Sequence, residues 1–239
     1  MPVFNILEKR GIRVVIANPK WVKAVKGNIY PIETYNYYAE ETPMDTIEDL
    51  QALVSEIDRT VDFGATVNIY LPAVTYEGGL ALSGPAVNLY GSTEGEARTT
   101  FTGTTQVTSN QGPICYFYDI GFIGDGSGVG ISASGRVHLT GCYVSGWRTG
   151  LLVYDQWSNT RNTTFENNEV GFHFNSGAGV PSNYNYTGTR FVGNGTGVLL
   201  EQVPTEQTRI FDDCLFSRNG TDIDNRCNQP LNITSAIFE

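Results

Sequence analysis

Apolar and polar positions in the second half of the chain recur in a fixed order. Five segments align: IGFIGDGSGVGI from 120, CYVSGWRTGLLV from 142, TTFENNEVGFHF from 163, TRFVGNGTGVLL from 189 and CLFSRNGTDIDN from 214, with starts 22, 21, 26 and 25 residues apart. The third position of each is apolar (Phe122, Val144, Phe165, Phe191, Phe216), and Phe238 continues the series. A Gly or polar residue follows, then an apolar pair with one residue between, such as Leu151/Val153, Phe172/Phe174 or Val198/Leu200. A second kind of pair lies upstream: Val67/Ile69, Val87/Leu89, Cys115/Phe117, Val137/Leu139 and Tyr184/Tyr186. Period-two pairs separated by turn residues are strand signals and not helix signals. Each period therefore holds three short strands. A chain that repeats them must coil, each strand pairing with its equivalent one coil later, roughly 4.8 Å away. The expected fold is all-β: a parallel β-helix wound from a single chain, with three short strands per coil and about eight coils.

The pattern changes upstream. In MDTIEDLQALVSEIDRTV, 44–61, Ile47, Leu50, Leu53, Val54 and Ile57 share one helical face. Asp45 and Glu48 fit an N-cap with a carboxylate at the third helical position. GATVNIYLPAVTY follows directly from 64. The expected organisation within one structural domain is an N-terminal strand or arm over 1–43, a capping helix over 44–62 and the β-helix over 63–239. IRVVIA and NIYPIETYNYYAE are strand candidates in the first segment.

The helix, the strand after it and the YLPxxxY run resemble the opening of pectate-lyase-superfamily proteins. The three-strand coils resemble the right-handed, pectin-lyase-like β-helix. The resemblance covers about residues 44–239. It implies a right-handed coil, and a carbohydrate groove along the strand that follows the third turn and its flanking loops. Lyases, hydrolases, epimerases, tailspikes and inert stalks share this fold, so the fold alone selects no activity.

Composition narrows the partners. Charged residues make up 17%, and the net charge is −10. Nucleic-acid binding needs clustered Lys and Arg, which this balance argues against. An acidic polymer would need a local basic patch. No apolar run is long enough to span a membrane. The start, MPVFNILEKRGIRVVIANPKW, scatters its charges and lacks an apolar leader core and a small-residue cleavage site. A secretory leader is not expected in it, an extracellular location is expected only if the sequence begins after one, and the compartment stays unassigned. Cys142 and Cys214 share a column three coils apart, about 14 Å, whereas a disulfide needs Cα atoms within roughly 7 Å. Cys115 and Cys227 lie elsewhere, so four free thiols are expected. No metal-ligand spacing appears, and no cofactor is expected. The final LNITSAIFE falls inside a rung. An open last rung exposes unpaired backbone and core. That rung is expected to be covered by a loop or by another subunit, and residues 1–43 either pack on the first coil or serve as a homo-oligomer or partner contact.

Alternation assigns the faces. In the strand after the Gly column, Leu152 and Tyr154, His173 and Asn175, Leu199 and Glu201, then Asp222, Asp224 and Arg226 point outward. His138 points outward on another strand. Polygalacturonases of this fold carry Asn-Thr-Asp, Gly-Asp-Asp and Gly-His-Gly motifs at the turn leading into this strand. Here Ser127, Thr149, Val170, Thr196 and Thr221 hold that place, none of them acidic, so that reaction is disfavoured. The best carboxylate pair is Glu201 with Asp224, on the order of 8 Å apart from strand geometry, within the range of inverting glycosidases. Glu201 is equally placed to pair with Arg226. His173 suits a general base, with no orienting acid expected on the adjacent rungs. A calcium site would need converging carboxylates, and Asp155, Glu201, Asp222 and Asp224 are spread over separate rungs. Arg148 and Arg190 are candidate bases or carboxylate clamps. Trp147, Tyr154 and Trp157 are expected near one loop pair, where apolar sugar faces could stack; the alternative for Trp147 is that it replaces the turn Asn of Asn168, Asn194 and Asn219 and packs over the neighbouring rung. The candidate catalytic residues are thus Glu201, Asp224 and His173. Trp147, Arg148, Tyr154, Asp155, Trp157, Asn175 and Arg226 are the candidate contacts to a polysaccharide or oligosaccharide, cleaved by a lyase or hydrolase or simply bound. The alternative is a non-catalytic structural, adhesin- or tailspike-like module. Asn168, Asn194 and Asn219 read as a structural turn ladder.

Overall fold

The computed structural model describes residues 33–62, 64–108, 114–176, 185–203 and 208–239. The IRVVIA strand, Tyr184 and most of the 1–43 arm lie outside these residues. The described chain winds through about seven turns of a parallel β-helix, one fewer than the repeat suggested. Among the described residues the coil is built from three parallel sheets. The first has six strands, from Thr34–Tyr38 to Ser158–Arg161. The second has eight, from Thr75–Tyr76 to Ile237–Phe238, and the third has seven, from Ala81–Leu82 to Thr221–Asn225.

The repeated apolar positions fall into register. Tyr76, Phe101, Phe122, Val144, Phe165, Phe191, Phe216 and Phe238 pair one above another down the second sheet. Adjacent rings in this column stack with centroids 4.8–5.7 Å apart. Each such pair adds ~0.5–1.5 kcal/mol to what its burial contributes. The inward pairs of the first sheet continue upward to Tyr35/Tyr37 and downward to Ser158/Thr160. The last pair is fully buried although polar. Thr160 is satisfied by the Thr189 hydroxyl at 2.9 Å. Hydroxyls there hide the rung from a search for apolar pairs.

The helix, Ile47–Thr60, buries Leu50, Val54 and Ile57. Its N-cap is Thr46 rather than Asp45. The Thr46 hydroxyl accepts from the Asp49 backbone N–H at 3.1 Å and donates to the Asp49 carboxylate at 2.7 Å. The hydroxyl and carboxylate three residues apart form the reciprocal cap one position later than 45/48.

Two corners of the coil require left-handed backbone. Asp119, Gly141, Asn162, Gly188 and Asp213 form one column with φ of 47–70°. Gly146, Asn167, Gly193 and Arg218 form another with φ of 54–74°. Gly, Asn and Asp tolerate this region best. A Cβ at Gly141 would lie 2.2 Å from the Asp119 carboxylate, and one at Gly188 2.3 Å from the Asn162 side chain. An Asx side chain on one turn therefore demands glycine on the next.

The third corner holds the asparagine ladder. Asn168 Oδ1 accepts from the Trp147 backbone N–H, Asn194 Oδ1 from both nitrogens of Asn168, and Asn219 Oδ1 from both nitrogens of Asn194. Asn168, Asn194 and Asn219 donate to the carbonyls of Val144, Phe165 and Phe191 respectively. Trp147 takes the same place one rung earlier, its indole N–H donating to the Phe122 carbonyl at 3.1 Å. The ring needs room. A Cβ at Gly124 would approach it to 2.5 Å and one at Gly130 to 2.9 Å. The turn after Phe122 is two residues longer than its equivalents, because Val129 pairs with Thr149 and Ile131 with Leu151. The residue before the Gly column on this rung is therefore Val129, not Ser127.

Candidate functional site

The outward row of the third sheet runs Gln106, Ser132, Leu152, His173, Leu199, Asp224 in strict register. His173 stands between Leu152 and Leu199, at the end of Val170–Asn175 nearer Asn175. The pairing then slips: Phe174 faces Leu200, but Asn175 faces Gln202. Glu201 is the extra residue of this β-bulge, and a bulge re-aims side chains. Its Oε2 lies 2.8 Å from His173 Nε2. An orienting acid, not expected on the adjacent rungs, is thus supplied by one of them, because the bulge turns Glu201 toward His173. Glu201 does not pair with Arg226. The Arg226 Nε donates instead to Asp224 Oδ2 at 2.8 Å, two residues back on its own strand. Glu201 and Asp224 each have their own basic partner, and the buried Leu199 occupies the row beside Asp224.

The remaining candidates are scattered. Trp147 and Trp157 are not exposed loop aromatics: their accessible fractions are 5% and 7%. Trp147 is held in the ladder corner. Trp157 covers the outer face of the first sheet, 4.8 Å from the His138 ring, with the Arg136 guanidinium 5.8 Å from its own centroid. Tyr154 alone of the three is exposed, at 44%. Asp155 is half-buried beside it, and Arg148 and Arg190 are exposed at separate turns and strands. Among the described residues no group of three or more His, Cys, Asp or Glu could hold a metal ion. No described helix is long and apolar enough to cross a membrane. The four cysteines are free thiols, three of them buried.

The most shaped part of the surface lies on the first sheet. Tyr38, Tyr70, Tyr90 and Tyr118 are in register on its outer face. Their rings stack at 4.7, 4.8 and 4.7 Å and are within 15° of parallel. Asn36, Asn68 and Asn88 run beside them, each amide donating to the one before at 2.9–3.0 Å. The signal in the sequence is Asn-x-Tyr at Asn36–Tyr38, Asn68–Tyr70 and Asn88–Tyr90, and the same motif at Asn28–Tyr30 lies outside the described residues. It is legible once the outward positions of this sheet are read together.

Where the stack ends, Tyr118 is followed by Thr140 and then Arg161 in the same row. The small threonine leaves a cleft of about 510 Å³, lined by Tyr116, Tyr118, His138, Leu139, Thr140, Asn159, Arg161 and Asn162. That size is ordinary for a small-ligand site. His138 sits between Tyr116, met edge-on at 5.0 Å, and Trp157. Burial, with the Arg161 charge adding to it, lowers the His138 pKa from 6.5 to about 4, so the ring is neutral at pH 7. Its Nε2 is buried and has no hydrogen-bond partner. Sequence reading had placed His138 outward, but Trp157 from the next rung covers it. No family model, curated protein or solved structure matches the chain.

Proposed function

We propose that this chain is a carbohydrate-interacting β-helix protein, similar to the pectin-lyase-like superfamily, which binds a polysaccharide or oligosaccharide on the outside of its coil. The cleft beyond Tyr118 is the observation that carries this reading. Stacked rings occupy each other's faces, so a tyrosine ladder offers sugars mainly ring edges and hydroxyls. At Tyr118 the stack stops against Thr140, and the ring borders an open cleft with the hydroxyl of Thr140, the amides of Asn159 and Asn162 and the guanidinium of Arg161. An aromatic wall with convergent hydrogen-bonding groups matches a sugar ring, which has apolar faces and a polar rim. The hydroxyls of Tyr70 and Tyr90 extend the surface along the coil. The His173–Glu201 pair joins a base to an orienting carboxylate, and on this reading it is where bond cleavage would be sought.

Affinity electrophoresis of the full chain through gels cast with a panel of soluble polysaccharides tests the reading. At least one polysaccharide should retard the protein, and Tyr118→Ala should abolish the retardation while its circular dichroism stays unchanged. A chain retarded by no saccharide, or a Tyr118→Ala chain retarded equally, ends the reading. The second reading, a structural module that docks on a partner, draws on the exposure of Ile233, Ile237 and Phe238 in the last described turn. Light scattering separates it, since a stable oligomer that binds no glycan would favour it.

A further inference from the structure

Resting on that carbohydrate reading, we propose that the cleft beyond Tyr118 selects an acidic saccharide, one bearing a carboxylate or a sulfate, through Arg161. The chain is acidic, with 25 acidic and 15 basic residues. Yet none of the eight residues that line this cleft is acidic. Arg161 is exposed at the end of its strand, and its guanidinium makes no hydrogen bond or ion pair among the described residues. The other basic residues of this face are occupied or uncharged. Arg136 lies over Trp157 and donates to Gln156 at 3.3 Å, and His138 carries no charge at pH 7. The carboxylates nearest to Arg161 along the chain, Asp155 and Glu166, do not line the cleft, and Glu166 accepts from the Tyr143 hydroxyl at 2.6 Å. The cleft is therefore a local spot of positive charge on a protein of net charge −10.

That arrangement discriminates. A neutral sugar would meet the amides and hydroxyls but leave the guanidinium to water. A planar carboxylate or a sulfate matches the guanidinium fork with two parallel charge-assisted bonds. The sugar ring would rest on Tyr118 with its acidic group toward Arg161, two rungs further along the row. Outside residues 1–32 acidic side chains outnumber basic ones, so a long polyanion gains no general attraction from the described surface. Selection thus depends on one residue and falls with added salt.

The test is fluorescence anisotropy of the full chain with labelled oligosaccharides in three sets: neutral, carboxylated and sulfated, with a single-stranded DNA oligonucleotide as a polyanion control. Acidic members should bind about tenfold more tightly than neutral ones. Arg161→Gln should remove that advantage and leave the affinity for neutral members within about twofold, while Arg161→Lys keeps part of it. The carboxylated and sulfated sets then tell which group is preferred. Three results would overturn the inference and leave the carbohydrate reading standing: neutral and acidic members bound alike, Arg161→Gln weakening both sets equally, or DNA bound as tightly as the acidic set. If no saccharide binds at all, the carbohydrate reading fails first and the inference falls with it.

Discussion

Lowering the pH should destabilise this protein through His138 before most carboxylates titrate. The imidazole is packed between Tyr116 and Trp157, with the Arg161 charge nearby, and its pKa falls from 6.5 to about 4. The fold therefore holds the neutral form. Between those two values the unfolded chain takes up a proton that the folded chain refuses, so the unfolded state gains. His138 costs nothing above pH 6.5, its penalty grows as pH falls, and the penalty is complete below about 4. At about 1.4 kcal/mol per pH unit, the gap between 6.5 and about 4 is worth about 3 kcal/mol in full. At pH 5 it is already about 2 kcal/mol. The assay is urea unfolding between pH 4 and pH 7.5 of the natural chain and of His138→Gln, which cannot titrate. Other groups titrate equally in both chains, so the difference between their stabilities isolates His138. That difference should move by about 3 kcal/mol against the natural chain on going from pH 7 to pH 4. A difference constant across the range, or a His138 ring proton that titrates near 6.5 by NMR, would refute the packing argument.

Other consequences are local. Asn194→Ala removes four side-chain hydrogen bonds from the buried corner and should cost at least about 3 kcal/mol in urea unfolding. Trp147→Phe strands the Phe122 carbonyl, for a loss of about 1–3 kcal/mol. Gly130→Ala forces a Cβ to 2.7 Å from the Gly150 carbonyl and should lower the melting temperature further than Gly64→Ala, whose Cβ would meet open space. Burial pushes the thiols of Cys115, Cys142 and Cys214 up to about 11–12. A thiol reagent at pH 8 should therefore reach only Cys227 in the folded protein and all four in denaturant. Glu201→Gln, on a pair that is part exposed, should change stability by no more than about 1 kcal/mol.

The coil was legible because its inward positions repeat a chemistry that a core requires. Phe165, Phe191 and Phe216 had to stack once the chain turned at matching positions, and the row Leu152–His173–Leu199 followed from alternation alone. What stayed hidden has two physical sources. One is register. A single extra residue after Leu200 swings Glu201 to His173, and nothing in LLEQ marks a bulge. Likewise the two residues added after Phe122 become intelligible only when the Trp147 ring is seen to fill the space that the glycines leave. The other source is coverage from a neighbouring rung. His138 alternates outward as expected, yet Trp157 folds back over it and turns a surface histidine into a half-buried, neutral one. The same geometry made the tyrosine stack easy to overlook. Asn-x-Tyr repeats on an outward face read as surface polarity one coil at a time. Across coils they make one continuous row, and its functional character appears only at the break, where Thr140 replaces the next ring and leaves Tyr118 and Arg161 bordering the same cleft. In a solenoid the repeat specifies the fold, so the informative positions for function are those where the repeat is interrupted on an outward row.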